Sequence, residues 1–444
     1  MIYIKALLLL ALVGLATARN CTNIIIETPI VSRQGKFREV PLESNVDVGE
    51  FATRLAKFQS NYSAELLEGY QTLKKTFNIS TQYCEPDGGS SDTIQLLIHG
   101  IGFDKTYWDL EYDNYNYSYV NVALDAGYST LAIDRLGIGN SSHGDPFNEI
   151  QAQASLEALN SLTLQLRNGT ICAIGRPFKK VIHVGHSFGS VLSYWLSAKY
   201  PSNTDGLILT GFSVSSQFLP YIIAGWNLHS ARLNQPFRFG NASNTGIRKL
   251  ATQYSLLSNL ASGFQKILRF AGVNLAANDV WNILSTTELS DFITGYNRSE
   301  VHSLNYPSGY MTHSSLTALQ YAFLQPSNYD INLALHGEAT KQAVTAGELL
   351  TIGSGPASSS FTGPVLVITG ETDVPFCGGN CYGKIPGMQF ENMIQAVDLV
   401  FPGKKEGVMA YVQPETGHGL NFHYNATGGY GVMQEFLASN GLAA

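Results

Sequence analysis

The chain has 444 residues, a formal net charge of −7 and only 14% charged residues. No block of Lys and Arg interrupts this acidic balance, which disfavours nucleic acid as a partner. The length predicts either one enlarged domain or a core with an insertion.

The N-terminus has the pattern of a secretory signal. Lys5 supplies a positive charge, an apolar run of about ten residues follows, and Ala16-Thr17-Ala18 fits a small-x-small cleavage site. We therefore expect a signal peptide over 1–18 and a mature chain that starts near Arg19. Because so short a run does not cross a bilayer of roughly 30 Å, a membrane anchor is disfavoured and no stable membrane span is expected.

Cysteines and sequons also favour a secreted, extracellular protein. Five cysteines are compatible with two disulfides and one free thiol, and Cys377 and Cys381 are the easiest pair to close because two glycines lie between them. Metal binding by this pair is disfavoured, since no second Cys or His pair lies nearby, and we expect no metal site. Nine N-x-S/T sequons predict a glycoprotein, at Asn20, Asn61, Asn78, Asn116, Asn140, Asn168, Asn241, Asn297 and Asn425.

Short apolar runs alternate with longer helical patterns along most of the chain. The apolar runs predict buried strands at 93–98, 129–134, 180–184, 206–210, 365–369 and 409–413. Helices are predicted at 149–167, 187–199, 389–400 and 431–438. This alternation predicts an α/β fold with a doubly wound, mostly parallel sheet. Residues 19–83 predict early edge strands and a helix near 51–70.

The alternation stops after 211 and resumes near 362, and helical patterns and aromatic residues dominate between these points. About 150 residues without a β-α unit is too long for a loop in a compact domain. We therefore divide the chain into the signal peptide 1–18, a first core part 19–212, a helical cap insertion with its return segment 213–362, and a second core part 363–444.

The pentapeptide Gly185-His186-Ser187-Phe188-Gly189 lies between a predicted strand and a predicted helix. This context is typical of a nucleophile elbow, a turn so tight that glycine is needed two residues on either side of the serine. The turn holds the Ser187 hydroxyl above the sheet, at the N-terminus of the following helix, where the helix dipole favours negative charge. Ser187 is the predicted nucleophile.

A serine hydroxyl needs a base to take its proton and an acid to orient that base. Asp373 follows the strand predicted at 365–369, and His418 lies between glycines after the last predicted strand, so these residues are the predicted acid and base. Glu371 and His423 are the competing acid and base. A surface turn aspartate and a solvated loop histidine are the non-catalytic alternatives for Asp373 and His418.

The early strand at 93–98 ends in His99-Gly100-Ile101-Gly102. Gly100 and Gly102 predict a tight loop, and the backbone N–H groups of Ile101 and Phe188 are the predicted oxyanion hole. Each such donor lowers the barrier by roughly 3 kcal/mol.

The segment 134–142 is also rich in glycine, but its spacing is not G-x-G-x-x-G and no acidic residue completes a dinucleotide site about twenty residues later. We interpret it as a structural turn, with Asp134 bonded to backbone. A nucleophilic aspartate at the elbow would indicate a dehalogenase or an epoxide hydrolase, whereas this elbow carries Ser187.

Together these segments resemble the α/β-hydrolase superfamily, of the kind with a helical cap. The matching motifs are His99 to Gly102, Asp134 to Gly139, Gly185 to Gly189, Gly370 to Asp373 and Gly417-His418. The extension from Phe376 to Cys381 resembles a secreted fungal branch. The resemblance covers roughly 90–212 and 360–440, and it implies hydrolysis through an acyl-serine intermediate but no particular substrate.

We therefore predict a secreted serine hydrolase that cleaves carboxylic esters or lactones of small hydrophobic molecules without a cofactor. An amidase, a peptidase or a lipase would use the same triad. A lyase or a non-catalytic binding protein on the same fold is a further alternative. The sequence leaves the oligomeric state open.

Overall fold

The computed structural model describes residues 19–87, 89, 91–215, 217–240, 304–385, 387–404 and 407–444. The predicted signal peptide 1–18, the sequons Asn241 and Asn297 and the middle of the predicted cap lie outside these residues. The described strands are β1 Asn20–Phe37, β2 Leu67–Glu85, β3 Thr93–Ile98, β4 Ser129–Ile133, β5 Lys180–His186, β6 Gly206–Thr210, β7 His229–Ser230, β8 Tyr310–Thr312, β9 Val344–Thr345, β10 Val365–Gly370 and β11 Met409–Gln413.

The described α-helices are α1 Asn45–Ala56, α2 Tyr62–Leu66, α3 Tyr119–Asp125, α4 Ala152–Asn168, α5 Phe188–Lys199, α6 Leu219–Trp226, α7 Ala231–Asn234, α8 Pro236–Phe239, α9 Leu316–Phe323, α10 Ile331–Thr340, α11 Ala346–Thr351, α12 Val374–Cys377 and α13 Ala426–Ser439. Short 3₁₀-helices occupy Lys105–Trp108, Asp113–Tyr115, Pro201–Asn203, Met393–Val400 and Leu420–Phe422.

Eight strands form the central sheet in the order β1-β2-β4-β3-β5-β6-β10-β11. The pairs from β4 to β11 are parallel, and β1 and β2 add an antiparallel edge. Every residue of β3 is buried, so helices cover both faces of the sheet there. The predicted doubly wound, mostly parallel sheet is confirmed. All of its parallel strands point their carboxyl ends to one edge, where ligands bind in open α/β sheets.

The N-terminal part forms a long antiparallel ribbon. β1 and β2 pair along their whole length, from Asn20 opposite Glu85 to Phe37 opposite Leu67. The prediction of a helix near 51–70 is therefore wrong from Leu67 onward, where the chain forms strand β2. The alternation of exposed and buried residues in β2 explains the difference, because it follows a period of two.

The described residues of segment 213–362 contain helices and a small antiparallel sheet in the order β7-β8-β9. These strands are two or three residues long. Over so few residues no alternation can be recognised, so the sequence does not predict these strands.

Among the described cysteines, Cys21 bonds Cys84 and Cys377 bonds Cys381, while Cys172 is free and exposed. Two disulfides and one thiol agree with the count expected from the sequence. Cys84 pairs in register with Thr130 at the start of β4, so the first disulfide lies at the amino end of the parallel strands.

None of the described helices is both long enough and apolar enough to pass through a bilayer.

The buried side chain of His183 predicts acid sensitivity. Its ring nitrogens bond the hydroxyls of Thr163 and Thr204, each at 2.9 Å, and burial lowers its pKa to about 3. The unfolded chain binds a proton there near pH 6.5, so the stability that this residue contributes is full above pH 6.5 and is lost as pH falls toward 3.

We expect the wild type to have a larger free energy of unfolding than His183→Asn near pH 7.5. This difference should become smaller as the pH falls. The slope is about 1.4 kcal/mol per pH unit below pH 6.5. Urea denaturation of both proteins between pH 7.5 and 5 measures it, and a difference that stays constant over this range would contradict the assignment.

Candidate active site

Ser187 lies on the turn between β5 and α5, with φ 53° and ψ −116°. This backbone conformation is rare for a residue with a side chain and is typical of functional sites. A Cβ at Gly185 would lie 2.4 Å from the Gly189 carbonyl oxygen, and one at Gly189 would lie 2.1 Å from the Ile98 carbonyl oxygen. Both predicted elbow glycines therefore occupy places that have no room for a side chain.

Asp373 and His418 lie together at the carboxyl edge of the sheet. Asp373 follows β10 and caps α12, and His418 lies in the loop after β11. The His418 Nδ1 and the Asp373 Oδ2 are 2.6 Å apart, and both residues are buried. Because an ionised carboxylate only accepts hydrogen bonds, we assign the Nδ1 proton to the imidazole, which leaves Nε2 on the opposite side of the ring.

The competing acid, Glu371, is engaged elsewhere. Its Oε2 accepts a hydrogen bond from the backbone N–H of Glu415 at 2.8 Å. It therefore fastens the strand end to the segment that leads into the His418 loop. The carboxylate in contact with the imidazole is that of Asp373.

The His418 ring lies against the turn that carries Ser187. A Cβ at Gly211 would be 3.0 Å from ring atoms of both His186, the residue before Ser187, and His418. The two ring centroids are 4.9 Å apart. Ser187 is half-buried, and no hydrogen bond between its hydroxyl and His418 occurs among those formed by the described residues. In enzymes without substrate such bonds are often long and tighten when substrate binds.

The loop after β3 lies against Ser187. A Cβ at Gly100 would be 2.8 Å from the Cβ of Ser187, and Gly102 has φ +86°. Within the described part of the chain, the N–H groups of Ile101 and Phe188 have no protein acceptor. The loop is therefore placed beside Ser187 with two donors available to a ligand.

Gln342 ties segment 304–385 to this loop and was missed by the sequence analysis. Its backbone N–H donates to the Gly102 carbonyl at 2.9 Å, and its side-chain amide donates to the Asp104 carboxylate at 2.8 Å. No motif surrounds Gln342 in the sequence, and more than two hundred residues separate it from the loop. No local pattern could have indicated this contact.

Two buried neutral histidines hold the loops. The His99 Nδ1 is 2.7 Å from the Gly100 carbonyl oxygen, and its Nε2 accepts the N–H of Arg135 at 2.9 Å. Burial lowers the pKa of His99 to about 3. The ring therefore donates through Nδ1 and accepts through Nε2, and fixes the start of the loop after β3.

His423, the competing base, has the same kind of role in the loop of His418. Its Nδ1 is 2.9 Å from the Gly419 carbonyl oxygen, and its Nε2 accepts the N–H groups of Gln325 at 2.8 Å and Gly417 at 3.0 Å. Burial lowers its pKa to about 4. With both nitrogens occupied by backbone groups, His423 is placed to hold the loop that carries His418.

The glycine-rich segment after β4 is a structural turn. The Asp134 carboxylate accepts backbone N–H groups of Lys105 and Asn140 and pairs with the Lys105 ammonium at 2.9 Å. The next residue, Arg135, pairs with Glu348 in the interior and lies over the ring of Phe188, 4.7 Å from its centroid. Arg135 therefore supports Phe188, the residue after Ser187, through the contact with its ring.

Aromatic side chains surround the imidazole. The ring centroids of Phe323 and Phe376 are 5.7 and 5.8 Å from that of His418. Phe103, two residues after Ile101, packs on Phe323 at 4.8 Å and on Phe422 at 5.5 Å. The candidate site therefore consists of three polar side chains, those of Ser187, Asp373 and His418, with aromatic side chains around them.

A mostly parallel sheet with a strained serine after β5 and a carboxylate–histidine pair after the last strands is the arrangement of an α/β-hydrolase. Residues 95–307 match the model of the alpha/beta hydrolase family. The fold is that of an α/β-hydrolase, and the family match supports it.

Among solved structures, the chain is similar to a thermophilic esterase from Thermogutta terrifontis, with 14% identity, a TM-score of 0.40, and coverage of 83% of this chain and 95% of that one. It is also similar to an epoxide hydrolase from Vigna radiata, with 15% identity, a TM-score of 0.40, and coverage of 81% and 95%. An alpha/beta hydrolase fold protein from Chitinophaga pinensis has 13% identity, a TM-score of 0.42, and coverage of 82% and 94%. No curated protein matches the chain significantly.

Replacing His423 tests its role in the loop. His423→Phe keeps a ring but leaves the N–H groups of Gln325 and Gly417 without an acceptor, at a cost of about 1–3 kcal/mol each. We expect kcat for hydrolysis to fall about 10- to 100-fold, since 1.36 kcal/mol of barrier corresponds to tenfold.

His423→Gln, which keeps one acceptor, should recover part of this loss. His183→Asn is the matched control, because it alters another buried neutral histidine that makes no contact with the loop. Full kcat in His423→Phe would show that the loop of His418 does not depend on this ring.

Proposed function

We propose that this protein is a secreted serine hydrolase that cleaves carboxylic esters or lactones of hydrophobic molecules through an acyl-serine intermediate. The observation that carries the proposal is the 2.6 Å contact between His418 and Asp373 beside the strained Ser187. The family match supports hydrolysis in general, whereas the choice of an ester rests on the site.

In the proposed reaction, the Ser187 Oγ attacks the carbonyl carbon and its proton passes to the His418 Nε2. The imidazolium that forms is stabilised by Asp373, which stays ionised. His418 then gives the proton to the leaving alkoxide, and the alcohol departs. A water molecule repeats the sequence on the acyl-serine, which releases the carboxylic acid and restores the hydroxyl of Ser187.

The negative charge that develops on the carbonyl oxygen needs donors that are already in place. The N–H groups of Ile101 and Phe188 are proposed for this role, because Phe188 follows Ser187 directly and Ile101 follows Gly100, which lies against Ser187. Their value lies in preorganisation, since His99 and Gln342 fix the loop before substrate arrives.

The aromatic rings around the imidazole favour a hydrophobic group on the substrate. The ring centroids of Phe323 and Phe376 lie 5.7 and 5.8 Å from that of His418, and Phe103 packs on Phe323. Burial of such a group contributes about 25 cal/mol per Å² of apolar surface. We therefore expect longer acyl chains or aryl groups to be preferred over acetyl.

Ser187→Ala tests the nucleophile. We expect hydrolysis of p-nitrophenyl butyrate to fall by roughly four orders of magnitude or more, because the removed oxygen forms the covalent bond. A circular dichroism spectrum like that of the wild type would show that the variant is folded. A fluorophosphonate should label wild-type Ser187 stoichiometrically and leave the variant unlabelled, and undiminished hydrolysis by the variant would refute the assignment.

Secretion is proposed from the N-terminal segment, the sequons and the two disulfides, which form in oxidising compartments. Six of the seven described sequon asparagines are exposed, namely Asn20, Asn61, Asn78, Asn116, Asn140 and Asn168. Asn425 differs, because its amide donates to the Pro414 carbonyl at 2.7 Å and its Oδ1 accepts the hydroxyl of Thr416 at 3.1 Å.

We expect Asn425 to carry no glycan in folded, secreted protein, because a sugar on its amide nitrogen would block the bond to Pro414. Chains glycosylated there could not close the turn before His418. Peptide mass spectrometry after enzymatic deglycosylation in heavy-oxygen water measures the occupancy. A glycan on most copies of Asn425 in active protein would contradict the expectation.

A further inference from the structure

A short disulfide loop follows the proposed acid directly. Cys377 and Cys381 are joined across four positions of sequence and are both buried. The first cysteine ends α12, which Asp373 caps, and the second lies beyond two glycines. The bridge therefore closes the turn in which the Asp373 carboxylate is held.

The loop supplies the hydrogen bonds that orient Asp373. The N–H of Phe376 donates to Oδ1 at 2.8 Å, which leaves Oδ2 for His418. The Asp373 carbonyl accepts the N–H groups of Cys377 at 3.2 Å and Gly379 at 2.9 Å. One oxygen of the carboxylate is thus fixed by the loop and the other faces the imidazole.

The far end of the bridge is also anchored to the core. The Cys381 N–H donates to the Glu371 carbonyl at 2.8 Å, and the Cys381 carbonyl accepts the N–H of Met393 at 3.0 Å. Between the cysteines, Gly378 and Gly379 have φ +63° and +89°. Two consecutive glycines have many alternative conformations, so this turn needs a covalent restraint to stay in one of them.

We propose that the Cys377–Cys381 disulfide is a positioning element for the proposed triad, which keeps the Asp373 carboxylate turned toward His418. The inference rests on the proposed function. Without the bridge, the Phe376 N–H leaves Oδ1 and the carboxylate rotates away from the imidazole. The imidazole then loses the partner that fixes its tautomer and stabilises its protonated form.

Loss of the contact with Asp373 should change the pH dependence of the reaction, because the Asp373 carboxylate lies next to the imidazole of His418. Its titratable neighbours include Asp373 and His186, and Tyr107 stacks on the His186 ring; burial lowers the pKa of His186 and raises that of Tyr107 well away from their ordinary values. His186 therefore stays neutral through the working range. A change in the acidic limb of the pH–rate profile then reports on the carboxylate.

The test compares two double variants of the full secreted chain, Cys377→Ser/Cys381→Ser and Cys21→Ser/Cys84→Ser. The second is a matched control, because it removes a disulfide at the opposite edge of the sheet. Hydrolysis of p-nitrophenyl butyrate is measured per site labelled by a fluorophosphonate. For the first variant we expect kcat to fall about 10- to 100-fold, KM to stay within about twofold, and the acidic limb to move to lower pH.

The control variant should lose thermal stability and keep kcat and the pH profile of the wild type. A proton NMR spectrum adds a readout that needs no turnover, since the His418 Nδ1 proton in so short a bond resonates far downfield. We expect this resonance to be lost or moved upfield only in Cys377→Ser/Cys381→Ser.

An unchanged kcat, pH profile and downfield resonance in that variant would overturn the proposal, as would equal changes in both variants. If the wild type neither hydrolyses esters nor reacts with the fluorophosphonate, the proposed function fails. The downfield resonance still decides in that case whether the disulfide orients Asp373.

Discussion

The strained backbone of Ser187 is the constraint on which the site depends. Ser187 has a positive φ on the turn that follows β5, and the surrounding backbone prevents the turn from relaxing. Gly185 touches Gly189, Gly189 touches the end of β3, and Gly100 touches Ser187 itself. Three backbone segments therefore meet with no side chain between them. The sheet keeps them in contact because β3 and β5 are neighbours in its centre.

Hydrogen bonds of two buried histidine rings hold the loops around Ser187. His99 and His423 each donate through Nδ1 to a nearby carbonyl and accept backbone N–H groups through Nε2. A lysine has no acceptor and an ionised carboxylate has no donor, so neither could do both. A neutral imidazole satisfies both kinds of backbone group without placing a charge in the interior, where an unpaired charge is costly. The loop after β3 and the loop that carries His418 are thus both fixed by uncharged rings.

Much of the fold was predictable because its strands are continuous apolar runs bounded by polar or glycine residues. The strands at 93–98, 206–210 and 409–413 have the predicted bounds. The helix predicted from 389 begins at Met393 as a 3₁₀-helix, because Asn392 caps it by accepting the N–H of Gln395. The strands β7 to β9 are too short to produce a periodic pattern, and they form only because distant segments pair.

The candidate site was predictable where a local pattern carries it. The elbow, the glycines of the loop after β3 and the choice of Asp373 and His418 all rest on a residue type placed just past a strand. Their catalytic roles stay a prediction. The supporting contacts of Gln342 and His423 are tertiary, and each joins backbone groups that are far apart in the sequence. The two disulfides differ in the same way. Cys377 and Cys381 are close in the sequence, whereas only the register of β1 and β2 brings Cys21 to Cys84.

The exposed thiol of Cys172 lies in the connection from α4 to β5, hence at the amino edge of the sheet, whereas the candidate site lies at the carboxyl edge. A maleimide dye or spin label attached there would sit on the face turned away from any bound molecule. Cys172 is thus a native site for surface immobilisation or fluorescent labelling. No further cysteine has to be introduced, which could exchange with the two disulfides.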